Sequence, residues 1–198
     1  SPTSKSNDNR FRINFLDIGQ GDATLITFPT GEQMLIDCAK DARSIAGIPK
    51  FLMDHGVHFA IVPSLPQSFL DGATFSPDGN PVIVLSLRYD RIDNFWFTLM
   101  HEIAHVDGEH RGIFIDNEID QDAKSSEEKE ADDFAQNWLI EATRYKTFAQ
   151  MAKPHFSRQS IVNFAQDIGR HPGIVLGRLH HEKLVHYSHL RPMLEKVR

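Results

Sequence analysis

Three residues stand out by type and spacing: His101, Glu102 and His105, in the segment His101-Glu102-Ile103-Ala104-His105. On a helix, positions four apart lie about 40° apart in projection with Cβ atoms about 6 Å apart, so both imidazoles can aim at one ion. Glu102 is turned about 100° from His101 and reaches past the ion toward a water. His-Glu-x-x-His on a helix is the arrangement in which the histidines ligate zinc and the glutamate acts as general base. Zinc at such a site makes water acidic near neutral pH, and the carboxylate takes the proton as a peptide carbonyl is attacked. The chemistry expected is peptide hydrolysis with Zn2+ as cofactor. Chance can produce this spacing, but the segment lies on an amphipathic stretch where Asn94 and Thr98 continue the histidine face, which favours the metal reading.

A catalytic zinc site needs a third protein ligand and one open position. Glu130 is the candidate. It shares a four-residue stripe with Phe134 and Trp138, so it is expected on the core side of its helix, where a carboxylate is costly unless paired or bound to metal. The competing reading is a surface glutamate among Glu127, Glu128, Asp132 and Asp133. Glu127 is the fallback ligand, and His110, five residues past His105 and beyond a glycine, is a rim or outer-sphere candidate. Tyr89 and Arg88, just ahead of the zinc helix, are candidates for stabilising an oxyanion.

The elements that must position these residues are a helix over 93–106, carried by Phe95, Leu99, Ile103 and Val106 at three- and four-residue steps, and a helix over 126–141. Ser125 and Glu128 stand at capping-box spacing ahead of the second. Earlier, residues 11–18, 22–28 and 33–38 read as short strands, and 44–55 as a helix ended by Gly56. Residues 58–63 and 81–87 read as further strands, the latter after the turn-rich Ser76-Pro77-Asp78-Gly79-Asn80. The 112–115 stretch is strand-like, and helices near 157–168 and 172–181 follow. Strands and helices mix without a βαβ alternation, so the expected class is α+β. The organisation expected is a flexible leader over 1–10, a β-strand extension over 11–41 and one domain over 42–198.

Composition limits the alternatives. A hydrophobic fraction of 40% and a charged fraction of 24% suit a globular chain. A net charge of −6 gives the whole molecule no attraction for nucleic acid. The sequence holds no apolar run of membrane-spanning length and no signal-peptide core. The single cysteine, Cys38, fits a reducing cytosol and is read as an inert strand residue, not as a zinc ligand.

The stretch Arg88-Tyr89-Asp90-Arg91-Ile92-Asp93-Asn94-Phe95-Trp96-Phe97-Thr98-Leu99-Met100 leading into the zinc motif resembles the ImmA/IrrE family of metallopeptidases. So do Glu128-Lys129-Glu130-Ala131-Asp132-Asp133-Phe134-Ala135 and His171-Pro172-Gly173-Ile174-Val175-Leu176-Gly177-Arg178-Leu179. The likeness covers about residues 42–198 and is greatest to the subgroup found in HigA-like antitoxin and repressor proteins. It implies a zincin-like domain acting on a protein partner such as a transcriptional repressor or antitoxin, with Glu130 as third ligand. It also implies a sheet strand along the cleft, expected at 81–87, beside which an extended peptide could pair. The chain departs from the pattern at Leu139-Ile140-Glu141, where the family has Leu-Ile-Pro. It departs more strongly near its start. In place of a helix-turn-helix repressor module, Phe15-Leu16-Asp17-Ile18-Gly19-Gln20-Gly21-Asp22-Ala23-Thr24-Leu25-Ile26 resembles the opening strands of a competence-type metallo-β-lactamase hydrolase. That fold's His-x-His-x-Asp-His motif is absent from the chain, so no activity is carried over from it.

Two other functions compete. One is a catalytically silent module of the same shape, acting as a regulator or antitoxin. The other is a DNA-binding regulator: Ala165, Gly169 and Val175 match helix-turn-helix spacing, and the last residues are basic. The family likeness places that helix pair inside the peptidase domain, packed on its core. His180, His181, His186 and His189 form no ligand spacing.

Overall fold

The computed structural model describes residues 12–17, 22–27, 33–36, 42–64, 69–107, 114–117 and 126–197, and the expected leader, Cys38 and His110 lie outside them. The class is α+β. A three-stranded antiparallel sheet joins β1 (Arg12–Asp17), β2 (Asp22–Thr27) and β3 (Gln33–Ile36) in sequence order. A 3-10 turn, Ala42–Gly47, leads into α1 (Ile48–Asp54), and the chain turns away two residues later at Gly56 with φ +82. Ile45, Ile48 and Leu52 are buried as expected, whereas Met53 points to solvent.

A second sheet carries the region of interest. Its strands are β4 (His58–Ile61), β5 (Leu70–Phe75), β6 (Val82–Leu85) and β7 (Phe114–Asn117), in the order β4-β6-β5-β7. β6 pairs in parallel with β4 and antiparallel with β5, across the turn at 76–80 where Asp78 and Gly79 adopt positive φ. The expected cleft strand at 81–87 is therefore an interior strand. Both its sides are already paired, so it cannot accept an extended peptide; β4 and β7 are the outer strands among those described.

Next come α2 (Ile92–Asp107), α3 (Ser126–Leu139), α4 (Ala142–Ala152), α5 (Arg158–Asp167) and α6 (Pro172–His181). α2 is the central element. It packs on β5 and β6 and against α3 and α6, and Ile92, Phe95, Trp96, Leu99, Met100 and Ile103 are all at most 3% exposed. A helix apolar round so much of its surface belongs in an interior. On α3 the buried face is Ala131, Ala135, Trp138 and Leu139. The two alanines let the helix backbones approach, and the Trp96 and Trp138 rings stack with centroids 6.2 Å apart and planes inclined by 21°. Such a pair adds about 0.5–1.5 kcal/mol beyond its area burial.

Arginines secure the C-terminal end of α3, where helix carbonyls lack partners within the helix. The buried Arg170 donates from Nε to Leu139 O at 3.0 Å and from a terminal nitrogen to Trp138 O at 3.2 Å. Arg178 donates to Ile140 O at 2.9 Å and to Gln136 O at 3.3 Å. The turn between α5 and α6 has the expected form, with Ala165 and Val175 fully buried and Gly169 at φ +63. Yet six of the ten residues of α6 are buried against the molecule, and Arg178 is committed to α3.

Two elements have no counterpart in the sequence reading. β5 buries Asp71, Gly72, Ala73 and Thr74 consecutively, so it has neither alternation nor the β-branched richness of a typical strand. The helix expected over 126–141 stops at Leu139. Glu141, where the family pattern has proline, instead caps the N-terminus of α4, accepting from Thr143 N at 2.7 Å and Arg144 N at 2.8 Å.

Candidate metal centre

α2 carries His101, Glu102 and His105 into the interior, where they are 1%, 1% and 2% exposed. The imidazole Nε2 atoms of His101 and His105 lie 3.1 Å apart. The Glu128 carboxylate, from α3, meets both: Oε2 is 3.1 Å from His101 Nε2 and Oε1 is 3.4 Å from His105 Nε2. Hydrogen bonds from the two histidines hold the Glu128 carboxyl far below the usual carboxylate range, against the opposing effect of burial.

These separations test whether a metal fits. Ligand atoms about 2.05 Å from a tetrahedral ion stand about 3.3 Å from one another; here the two Nε2 atoms are 3.1 Å apart, each meets a different Glu128 oxygen at 3.1 or 3.4 Å, and one donor atom from each of the three residues lies within 4.8 Å of the others. Two imidazole nitrogens and a carboxylate form a donor set that zinc accepts. Among the described residues, these are the three side chains whose histidine and carboxylate atoms converge in this way.

The expected third ligand, Glu130, is not at the site. It is exposed, as is the fallback Glu127, while Glu128 takes the position beside the histidines. The reason is helical geometry. The buried arc of α3 centres on Ala131 and Ala135, not on Phe134, which is only partly buried. Glu128 precedes Ala131 by three residues and falls on that arc, whereas Glu130 is turned about 100° from Ala131.

Two further residues complete the surroundings, and neither was singled out from sequence. Asp132 accepts from or pairs with His101 Nδ1 at 3.0 Å, which leaves Nε2 directed at Glu128 and His105. A carboxylate behind a histidine fixes the ring and raises its basicity; the one-turn spacing Glu128–Asp132 was a signal available in the sequence. On β5, Thr74 donates from Oγ1 to Glu102 Oε2 at 2.6 Å. Gly72, on the same strand, makes room for that carboxylate, since a Cβ there would lie 2.4 Å from Glu102 Oε1. The small residues that hid β5 from sequence reading are what bring its backbone against Glu102.

Arg88 is engaged with Asp71, through Nε at 3.1 Å and a terminal nitrogen at 3.3 Å, and stacks over the half-exposed Tyr89 ring at 4.6 Å. Tyr89 lines a cavity whose wall also includes Asp132, the partner of His101. Of the C-terminal histidines, His180 bonds to His189 O at 3.0 Å and His186 to Ser188 Oγ at 2.7 Å, with no ligand cluster among them. No described helix is long and apolar enough to cross a membrane.

The family described as Peptidase U49 matches residues 93–164, a span that holds α2, α3 and all three clustered side chains. The match covers less than half of the 198-residue chain and supports a peptidase-like function. No curated protein matches the sequence.

Proposed function

We propose that the protein is a zinc-dependent endopeptidase of zincin-like fold, with His101, His105 and Glu128 as the protein ligands and Glu102 as the general base. The observation that carries this reading is the convergence of two imidazole Nε2 atoms and one carboxylate within reach of a single ion, with a second carboxylate one residue along from His101. When bound, Zn2+ supplies Lewis acidity, polarising an amide carbonyl and making water acidic near neutral pH.

The chain's own residues do the rest. Asp132 fixes the His101 ring with its Nε2 turned inward. Glu102, held by Thr74 through one oxygen, takes a proton from water and passes it to the leaving amine. Gly72 leaves the space in which that carboxylate sits. Glu130 is proposed to have no part in the centre. Tyr89 is the better placed of the two oxyanion candidates, because Arg88 is tied to Asp71.

The likeness to ImmA/IrrE peptidases supports a protein substrate, a transcriptional repressor or antitoxin, cut in the cytoplasm. The near-complete burial of His101, Glu102 and His105 favours one second reading, a module of the same shape that binds its partner without cutting it. Both are separated by labelling the protein N-termini of a bacterial lysate after incubation with zinc-loaded wild type or Glu102→Gln. New termini made by wild type alone support the peptidase; identical termini from both overturn it and leave the binding module.

A further inference from the structure

A cavity of about 390 Å³ opens between α2, α3 and α6 and adjoins the centre. Asp132 forms part of its wall while also holding His101. The Phe97 ring, another part of the wall, has its centroid 6.2 Å from that of His101. Thr98, one turn before Glu102, lines it too. The volume is within the range that takes a small ligand or a large side chain.

The charged groups around this cavity have partners within the protein, Asp132 through His101 Nδ1 at 3.0 Å. Arg91 pairs with Asp93 through two contacts, and Asp71 with Arg88. Arg178 bonds to Glu182 at 3.0 Å and to the α3 carbonyls. Burial pushes the His180 imidazole toward its neutral form. Apart from the exposed His181 at its edge, what remains for a visitor is uncharged: Phe97, Leu139 and Ile174 supply apolar wall, and Asn94 and Gln136 supply side-chain amides that bond to no other described residue. A charged side chain entering here would lose hydration without gaining a counter-charge, whereas an uncharged one loses little.

We propose that this cavity is the side-chain pocket of the metal centre and selects a large uncharged residue of the substrate, with Asn94 and Gln136 meeting any polar group on it. The assignment rests on the metal reading above, and the test separates the two. Calorimetry on the zinc-loaded protein would compare acetohydroxamate with the hydroxamates of glutamine, leucine, phenylalanine, lysine and glutamate. Acetohydroxamate binding reports the metal alone. The uncharged amino-acid hydroxamates are expected to bind tighter than the lysine and glutamate ones by about tenfold, the scale on which one group is discriminated in a pocket. Gln136→Glu, on the half-exposed side of α3, should reverse the order for lysine hydroxamate while leaving acetohydroxamate unchanged; Asn94→Asp serves should that variant not fold. Charged and uncharged hydroxamates binding alike, or charged ones binding tighter, overturn the pocket and leave the centre standing. Failure of acetohydroxamate overturns the metal reading instead. The pocket is then decided by chemical-shift mapping with N-acetylglutamine amide and N-acetyllysine amide, for which binding of the first alone is expected and equal binding is contradictory.

Discussion

At the scale of single residues, the two glutamates of α3 give the sharpest contrast. Glu128 touches both histidines and Glu130 faces solvent, so Glu128→Ala should abolish stoichiometric zinc binding while Glu130→Ala leaves it intact, as read by metal analysis after gel filtration. Zinc retained in the first variant and lost in the second would restore the pattern-based assignment. Asp132 acts one step behind. Asp132→Asn keeps the shape but removes the charge behind His101 Nδ1, and a weakening of zinc affinity by about 10–100-fold is expected from the loss of such a partner. Competition with a chromogenic chelator measures it, and an unchanged affinity would reduce Asp132 to a bystander. The motif residues were legible in the sequence because four-residue spacing on a helix is a geometric rule. The carboxylate that meets the histidines was not, because Glu130 was aligned with Phe134 and Trp138; Trp138 does lie on the buried arc with Ala131 and Ala135, but Phe134 is turned about 60° and Glu130 about 100° from Ala131. Small residues mark close helix approach, yet they carry little weight in a hydrophobic pattern.

At the scale of elements, the centre depends on how closely α3 approaches α2. Ala135 is fully buried at that contact, and Ala135→Leu would push the helices apart. Overpacking of this kind costs about 1–3 kcal/mol, and here it should also draw Glu128 from the histidines, so thermal stability and zinc affinity fall together. A drop in melting temperature with unchanged zinc affinity would show that the α2–α3 spacing does not set the site. The junction from α3 to α4 makes a separate prediction. Backbone donors Thr143 and Arg144 hold the exposed Glu141 carboxyl below its ordinary pKa. Its capping contribution is therefore full at neutral pH and fades as pH falls through the lowered folded value. Glu141→Gln should cost about 0.5–1 kcal/mol at pH 7 in low salt, less in high salt because the group is exposed, and the gap should close toward acid. Denaturant titrations at pH 7 and pH 3 check this, and a gap that persists in acid would contradict the capping role. The split itself was hidden: Leu139 and Ile140 continue the apolar pattern, and only the Glu141 cap reveals the break.

At the scale of the whole molecule, α2 is a buried axle between a four-stranded sheet and a layer of helices, and every group of the centre comes from α2 or from an element packed on it. The α+β class and most helix positions were readable from periodicity. β5 was not, since Gly72 leaves room for the Glu102 carboxylate and Asp71 meets Arg88, so its buried residues do not form an apolar stripe. The interior position of β6 was equally hidden, because strand order is a tertiary property that one strand's residues do not encode. α6 shows the reverse case: its helix-turn-helix spacing is real, but its buried face is spent on α2 and its arginine on the end of α3.

Metal analysis paired with Glu102→Gln decides whether the protein holds a zinc centre worked by Glu102. One zinc per chain is expected in wild type and in the variant, with new protein N-termini generated in a lysate by wild type alone. A wild-type protein that holds no zinc when refolded with it, or a Glu102→Gln variant that cuts as wild type does, would contradict it.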